Sequence, residues 1–144
     1  MSALVDANIL LYAKFSGFPQ HAAARAWLDA RLNAPEPVGI AWLSLVAFVR
    51  ISTNRRVLGE PLSVAEAVSQ LRQWIGRRTV WHPEPGPRFA ALYPQLLEDS
   101  QASGNLVTDA YLAALALEHG LTVVSSDADF ARFPKVPWYN PLSE

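Results

Sequence analysis

The chain has 144 residues, 51% of them apolar and 17% charged, with a net charge of −1. That length and composition suit one globular domain, residues 1–144, with a core of its own, and exclude a disordered or low-complexity polypeptide. The absence of cysteine excludes disulfides, thiolate metal sites and cysteine nucleophiles together.

Residues 2–5 read as a short strand that stops at Asp6. "ANILLYAKF" then suits a buried helix, and "FPQHAAARAWLDARLN" a second one, with Pro19 near its start and alanines favouring helix. "EPVGIA" is a short strand candidate, and "WLSLVAFVRISTN" is a mostly apolar segment of helical length. In "SVAEAVSQLRQWI", Ser63 and Glu66 have the spacing of a capping box, and Val64, Val68, Leu71 and Ile75 recur at helical spacing. "TVWH" is a strand candidate, and "PRFAALYPQLLEDSQ" a helix that Pro94 is expected to kink or split. "NLVTDAYLAALALEHG" is the clearest helix, closed by Gly120, and "LTVVS" the clearest strand. "VPWY" completes the series as a last short strand.

Strands alternating with helices predict an α/β domain: a mainly parallel sheet with helices on both faces. In such sheets ligands bind outside the carboxyl ends of the strands, near a topological switch point. Asp6 follows the first strand, Asp127 and Asp129 follow the "TVVS" strand, and Asp109 lies near the start of its helix. Three or four carboxylates can therefore converge on one edge from three places in the chain. Acids that converge repel one another, so they persist only if a cation neutralises them or some are protonated. Hard oxygen donors suit Mg²⁺ or Mn²⁺, ions that can bridge a phosphate, activate a water and stabilise a leaving oxygen.

Other chemistries lack their signatures. His21, His82 and His119 show no zinc spacing and read as surface or helix-end residues. The sequence contains no Walker loop, no G-x-G-x-x-G and no G-x-S-x-G. The five tryptophans, Trp27, Trp42, Trp74, Trp81 and Trp138, sit mostly in apolar patterns and read as core or interface residues rather than base-stacking platforms. Asp6 interrupts the first apolar run, no secretory signal is expected, and no stretch reaches the ~18 apolar residues of a membrane helix. A cytoplasmic protein with no membrane association is the expectation. Charge is unevenly distributed: residues 49–93 hold seven Arg against three Glu, and residues 94–144 hold seven acids against two bases. An acidic site beside a basic surface suits a polyanionic ligand.

Three segments, "LVDANILLYA", "LVTDAYLAALALEHG" and "TVVSSDADFARF", together resemble the PIN-domain ribonucleases, and more closely the VapC toxins of bacterial type II toxin–antitoxin pairs. The similarity spans nearly the whole chain, including "WLSLVAFVRISTNRRV" and "WYNPL". It implies a five-stranded parallel sheet and a Mg²⁺- or Mn²⁺-dependent endoribonuclease site. It also implies a VapB-type antitoxin as partner and a homodimer. Carried over residue by residue, it makes Asp6, Asp109 and Asp127 metal-binding acids, with Asp129 close behind and Asn8 and Thr108 in support. Arg50, Arg55 and Arg56 acquire an RNA-phosphate role. One departure stands out: many relatives have a Glu just before the Phe of "SLVAFVR", where this chain has Ala47. That departure leaves open a catalytically weak or inactive RNA- or protein-binding module. A signalling receiver domain, which also gathers Asp at strand ends, does not fit: it needs an acidic pair after the first strand, and only Asp6 is there.

Overall fold

In the computed structural model, which describes residues 1–143, the first strand β1 (Ala3–Val5) leads into α1 (Ala7–Lys14) and α2 (His21–Asn33). The chain continues through β2 (Val38–Gly39), α3 (Trp42–Ser52), α4 (Val64–Ile75) and β3 (Val80–Trp81). Next come α5 (Phe89–Ser100), α6 (Asn105–His119), β4 (Thr122–Val124), a 3₁₀ turn (Ala128–Arg132) and β5 (Trp138–Tyr139). The expected α/β architecture is observed, with strands one to four residues shorter than the sequence patterns.

The five strands form one sheet in the order β3-β2-β1-β4-β5, and every pair is parallel. From β1 the chain builds β2 and β3 on one side, then crosses to build β4 and β5 on the other. The switch point therefore lies between β1 and β4, whose rungs pair Leu4 with Val123 and Val5 with Val124.

Side-chain alternation along the strands divides the core into two halves. Leu4 and Val123 point into a cluster with Ala110, Ala113, Leu115 and Phe130. Ala3, Val5 and Val124 point the other way, against Ile9, Leu28, Phe48 and Trp74. Helices thus cover both faces. Only a sheet buried on both sides tolerates strands as uniformly apolar as "ALV" and "TVV".

Local chemistry sets the helix ends. The Ser63–Glu66 capping box forms in both directions, with Ser63 Oγ accepting from the Glu66 amide at 3.1 Å and Glu66 Oε1 from the Ser63 amide at 2.9 Å. Gly120 ends α6 in the left-handed region at φ 68°. The helix begins at Gly104, whose φ of 58° and ψ of −131° few other residues adopt. One expectation fails: Pro94 does not split its helix, and α5 runs unbroken from Phe89 to Ser100. Pro94 lacks the amide that would pair with the Ala90 carbonyl, but both residues are exposed, so water can take up the freed acceptor.

Among the described residues, no helix is long and apolar enough to cross a membrane.

Candidate functional site

The carboxyl edge of the sheet gathers acids at the switch point. Asp6 leaves β1 with its amide still bonded to the Val124 carbonyl of β4 at 2.9 Å, so its backbone is fixed by the sheet. Its side chain caps α1, with Oδ1 accepting from the Ala7 amide at 2.8 Å. A short carboxylate is the natural cap at that position, which is one reason strand, Asp and helix follow without a loop.

The second oxygen of Asp6 meets a residue that sequence reasoning did not single out. Ser125, directly after β4 and fully buried, donates its hydroxyl to Asp6 Oδ2 at 2.7 Å. The same Oγ accepts from Asn8 Nδ2 at 3.0 Å and from the Asp127 amide at 3.0 Å. Asn8 also reaches Asp6 Oδ2 at 3.4 Å and accepts from the Ser126 amide at 3.3 Å. Trp138 of β5 holds the Ser125 carbonyl at 2.9 Å. Ser125 therefore ties together the acids that follow β1 and β4. The signal was present in the sequence as a serine ending an apolar strand two residues before an Asp.

Asp127 caps the 3₁₀ turn by accepting from the Asp129 amide at 2.9 Å. That turn brings Asp129 back towards Asp127. Across from them Asp109, the fifth residue of α6, completes a group in which one oxygen from each of Asp109, Asp127 and Asp129 lies within 4.8 Å of the other two. Asp6 stands outside this trio, with its oxygens engaged by Ala7, Ser125 and Asn8. It remains close enough that its charge acts on Asp109.

The electrostatics follow from burial and like charge. Burial, then the charges of Asp127, Asp6 and Asp129, push the Asp109 carboxyl up to about 7. Burial also raises Asp6, against the lowering effect of its bonds from Ser125 and Ala7. Asp109 Oδ2 is inaccessible to solvent and has no hydrogen-bond partner among the described residues. A carboxyl with one buried, unpaired oxygen, grouped with two further carboxylates, is an arrangement that a divalent cation would satisfy. The donor set is all oxygen, as Mg²⁺ or Mn²⁺ requires and zinc or copper does not favour.

Thr108 is exposed, and among the described residues its hydroxyl bonds none of the acids. Ala47 is half-buried on α3, and no acid elsewhere on α3 takes the second acidic position. Arg50 is exposed eight residues along α3 from Trp42, about 12 Å of helix, and the exposed Arg55 and Arg56 follow the helix end. Among the described residues none of the three is in an ion pair. Of the five tryptophans, Trp74 is buried and Trp27 and Trp138 are partly so, whereas Trp42, at the start of α3, is 43% exposed and Trp81, on the edge strand β3, 36%.

Comparison with known proteins bears on this geometry. The family model for the PIN domain matches residues 3–136. Ribonuclease VapC33 of Mycobacterium tuberculosis is 40% identical over 139 residues, 96% of this chain and 97% of that protein. Among solved structures, VapBC2 from Rickettsia felis, bound to a DNA fragment from their promoter, superposes with a TM-score of 0.68 at 19% identity, covering 97% of this chain and 98% of the other. A toxin–antitoxin complex from Klebsiella pneumoniae gives 0.64 at 22% identity over 97% and 98%. The two structures share the fold.

Proposed function

We propose a function from the premise that the chain belongs to the PIN-domain family, alongside the VapC ribonucleases: it is an endoribonuclease that hydrolyses RNA at its carboxylate cluster with Mg²⁺ or Mn²⁺. The observation that carries this reading is the trio Asp109, Asp127 and Asp129, with Asp109 Oδ2 buried and unpaired. When bound, the cation would supply Lewis acidity to the phosphate and lower the pKa of water. Asp109 and Asp127 would hold the ion, and Asp6, oriented by Ser125 and Asn8, would add the negative charge beside them. Asp129, the exposed member, would take the proton of an attacking water and release it to solvent. Attack opposite the 3′ oxygen would form the P–O bond to hydroxide as the P–O3′ bond breaks, and the leaving 3′ oxygen would take a proton from solvent. The products would be 5′-phosphate and 3′-hydroxyl ends.

Arg50, Arg55 and Arg56 would contact phosphates without reading sequence. The VapC ribonuclease relatives and the likeness to a VapBC complex support a VapB-type antitoxin as the inhibitory partner; with it the chain would act as a homodimer on cellular RNA in the cytoplasm. A second reading, an RNA-holding module without turnover, is favoured by Ala47 alone, which leaves α3 without an acid.

Expression without an antitoxin tests the toxin role. Growth should arrest, and Asp6→Ala or Asp109→Ala should relieve the arrest while the protein stays soluble and folded. Both variants arresting growth like wild type would overturn the carboxylate mechanism. A wild type that neither arrests growth nor cuts RNA would favour the module.

A further inference from the structure

The helix next to the acids exposes a single stripe. Of the eleven residues of α3, only Trp42, Val46 and Arg50 are exposed. Their spacing of four places them on one face, in the order aromatic, aliphatic, cation. Leu45 and Phe48 fill the opposite face against the core.

The sheet register fixes where this stripe begins. Leu4 of β1 pairs with Gly39 of β2, so the continuing chain brings Ala41 level with Asp6. Neighbouring strands are roughly 5 Å apart, and Trp42 follows Ala41 directly. Gly39 in turn pairs with Trp81 of β3, which brings His82 to the same edge. There the His82 ring lies against the Trp42 indole, with centroids 4.9 Å apart and planes inclined by 37°. His82 is held in place by Nδ1, which lies 2.9 Å from the Ile40 carbonyl. A carbonyl only accepts, so Nδ1 carries the proton and donates. The imidazole therefore backs one side of an indole that keeps 43% of its surface exposed, one strand away from Asp6.

Resting on the ribonuclease reading, we propose that Trp42, backed by His82, is a stacking platform for a base flanking the cleaved phosphodiester. The stripe through Val46 to Arg50 would carry the adjoining single-stranded RNA away from the site. Three observations favour RNA over a protein occupant. The platform stands on the same sheet edge as the acids. The stripe ends in an exposed cation that pairs with nothing else among the described residues. That cation, Arg50, also opens the basic middle of the chain, seven Arg against three Glu over residues 49–93. An exposed indole accepts any base by its π-face, so the platform would position RNA with little sequence preference.

The test is binding and cleavage measured separately. Fluorescence anisotropy of a labelled single-stranded RNA 12-mer in EDTA reads binding without turnover. Trp42→Ala should weaken it about tenfold or more, Trp42→Phe should retain most of it, and melting should show both variants folded. In a series with one abasic nucleotide walked along the oligomer, one position should weaken wild type strongly and leave Trp42→Ala unchanged. In cleavage, Trp42→Ala should raise KM more than it lowers kcat. Equal RNA binding by wild type and Trp42→Ala overturns the platform. So does a Trp42→Ala variant that keeps RNA binding but changes oligomeric state or loses an antitoxin, since the stripe is then a protein interface. RNA bound through Trp42 but never cut, with metal present, leaves the platform standing and refutes the ribonuclease reading. A wild type that binds no RNA in EDTA, and neither binds nor cuts it with Mn²⁺ present, overturns both.

Discussion

Asp109 is the residue on which opposing effects meet. Its carboxyl is held up to about 7 by burial and by three neighbouring acids, whereas the unfolded chain ionises it near 3.9. Between those values the native state keeps a proton that the unfolded state has lost. Stability conferred by that proton is complete below about pH 4 and is lost as pH rises through about 7. In EDTA the melting temperature should therefore carry a contribution that falls from pH 4 to pH 8, and Asp109→Asn should remove it. Millimolar Mn²⁺ should raise the wild-type midpoint at pH 8, where the acids are charged, and leave Asp109→Asn much less affected. A wild type and an Asp109→Asn variant with the same pH dependence would remove the electrostatic basis of the site. At this scale the acids were legible because strand ends in a parallel sheet share an edge. Their grouping was not: spacing along the chain does not show that Ser125 and Asn8 occupy Asp6 while Asp129 folds back beside Asp127.

The elements position these side chains through a few backbone conditions. Helix α6 carries Asp109 five residues in, and it starts from Gly104 at φ 58° and ψ −131°. A Cβ at Gly104 would meet nothing within 4 Å, so Gly104→Ala should cost backbone energy alone, about 1–3 kcal/mol in a denaturant melt. Gly17→Ala, also in open space but without positive φ, should be close to neutral. Equal effects at the two positions would contradict this source of strain. The Ser63–Glu66 box and the Gly120 stop were legible because each acts within one turn of chain. Gly104 was not, since an N-terminal glycine has no comparable pattern. Nor was the continuity of α5, because whether a proline splits a helix depends on whether its orphaned carbonyl is exposed. The exposure of Trp42 was hidden in the same way. Its neighbours "WLSLVAFV" are apolar, and only the packed helix shows which stripe remains outside.

The whole molecule separates two charge regions that cancel in the net value of −1. The carboxyl-terminal acids converge at the switch point between β1 and β4, and α3 leaves the adjoining strand with its stripe towards Arg50. A polyanion laid across this edge would meet attraction along α3 and repulsion at the acids unless a cation is present. Metal should therefore govern turnover more steeply than it governs RNA binding. The most direct measurement is cleavage of purified single-stranded RNA by the purified protein, titrated with Mn²⁺ and repeated in EDTA and with Asp109→Asn. Turnover that rises with Mn²⁺, stops in EDTA and falls at least a hundredfold in Asp109→Asn is the expected result. Cleavage that persists unchanged in EDTA, or is as fast in Asp109→Asn as in wild type, would contradict it.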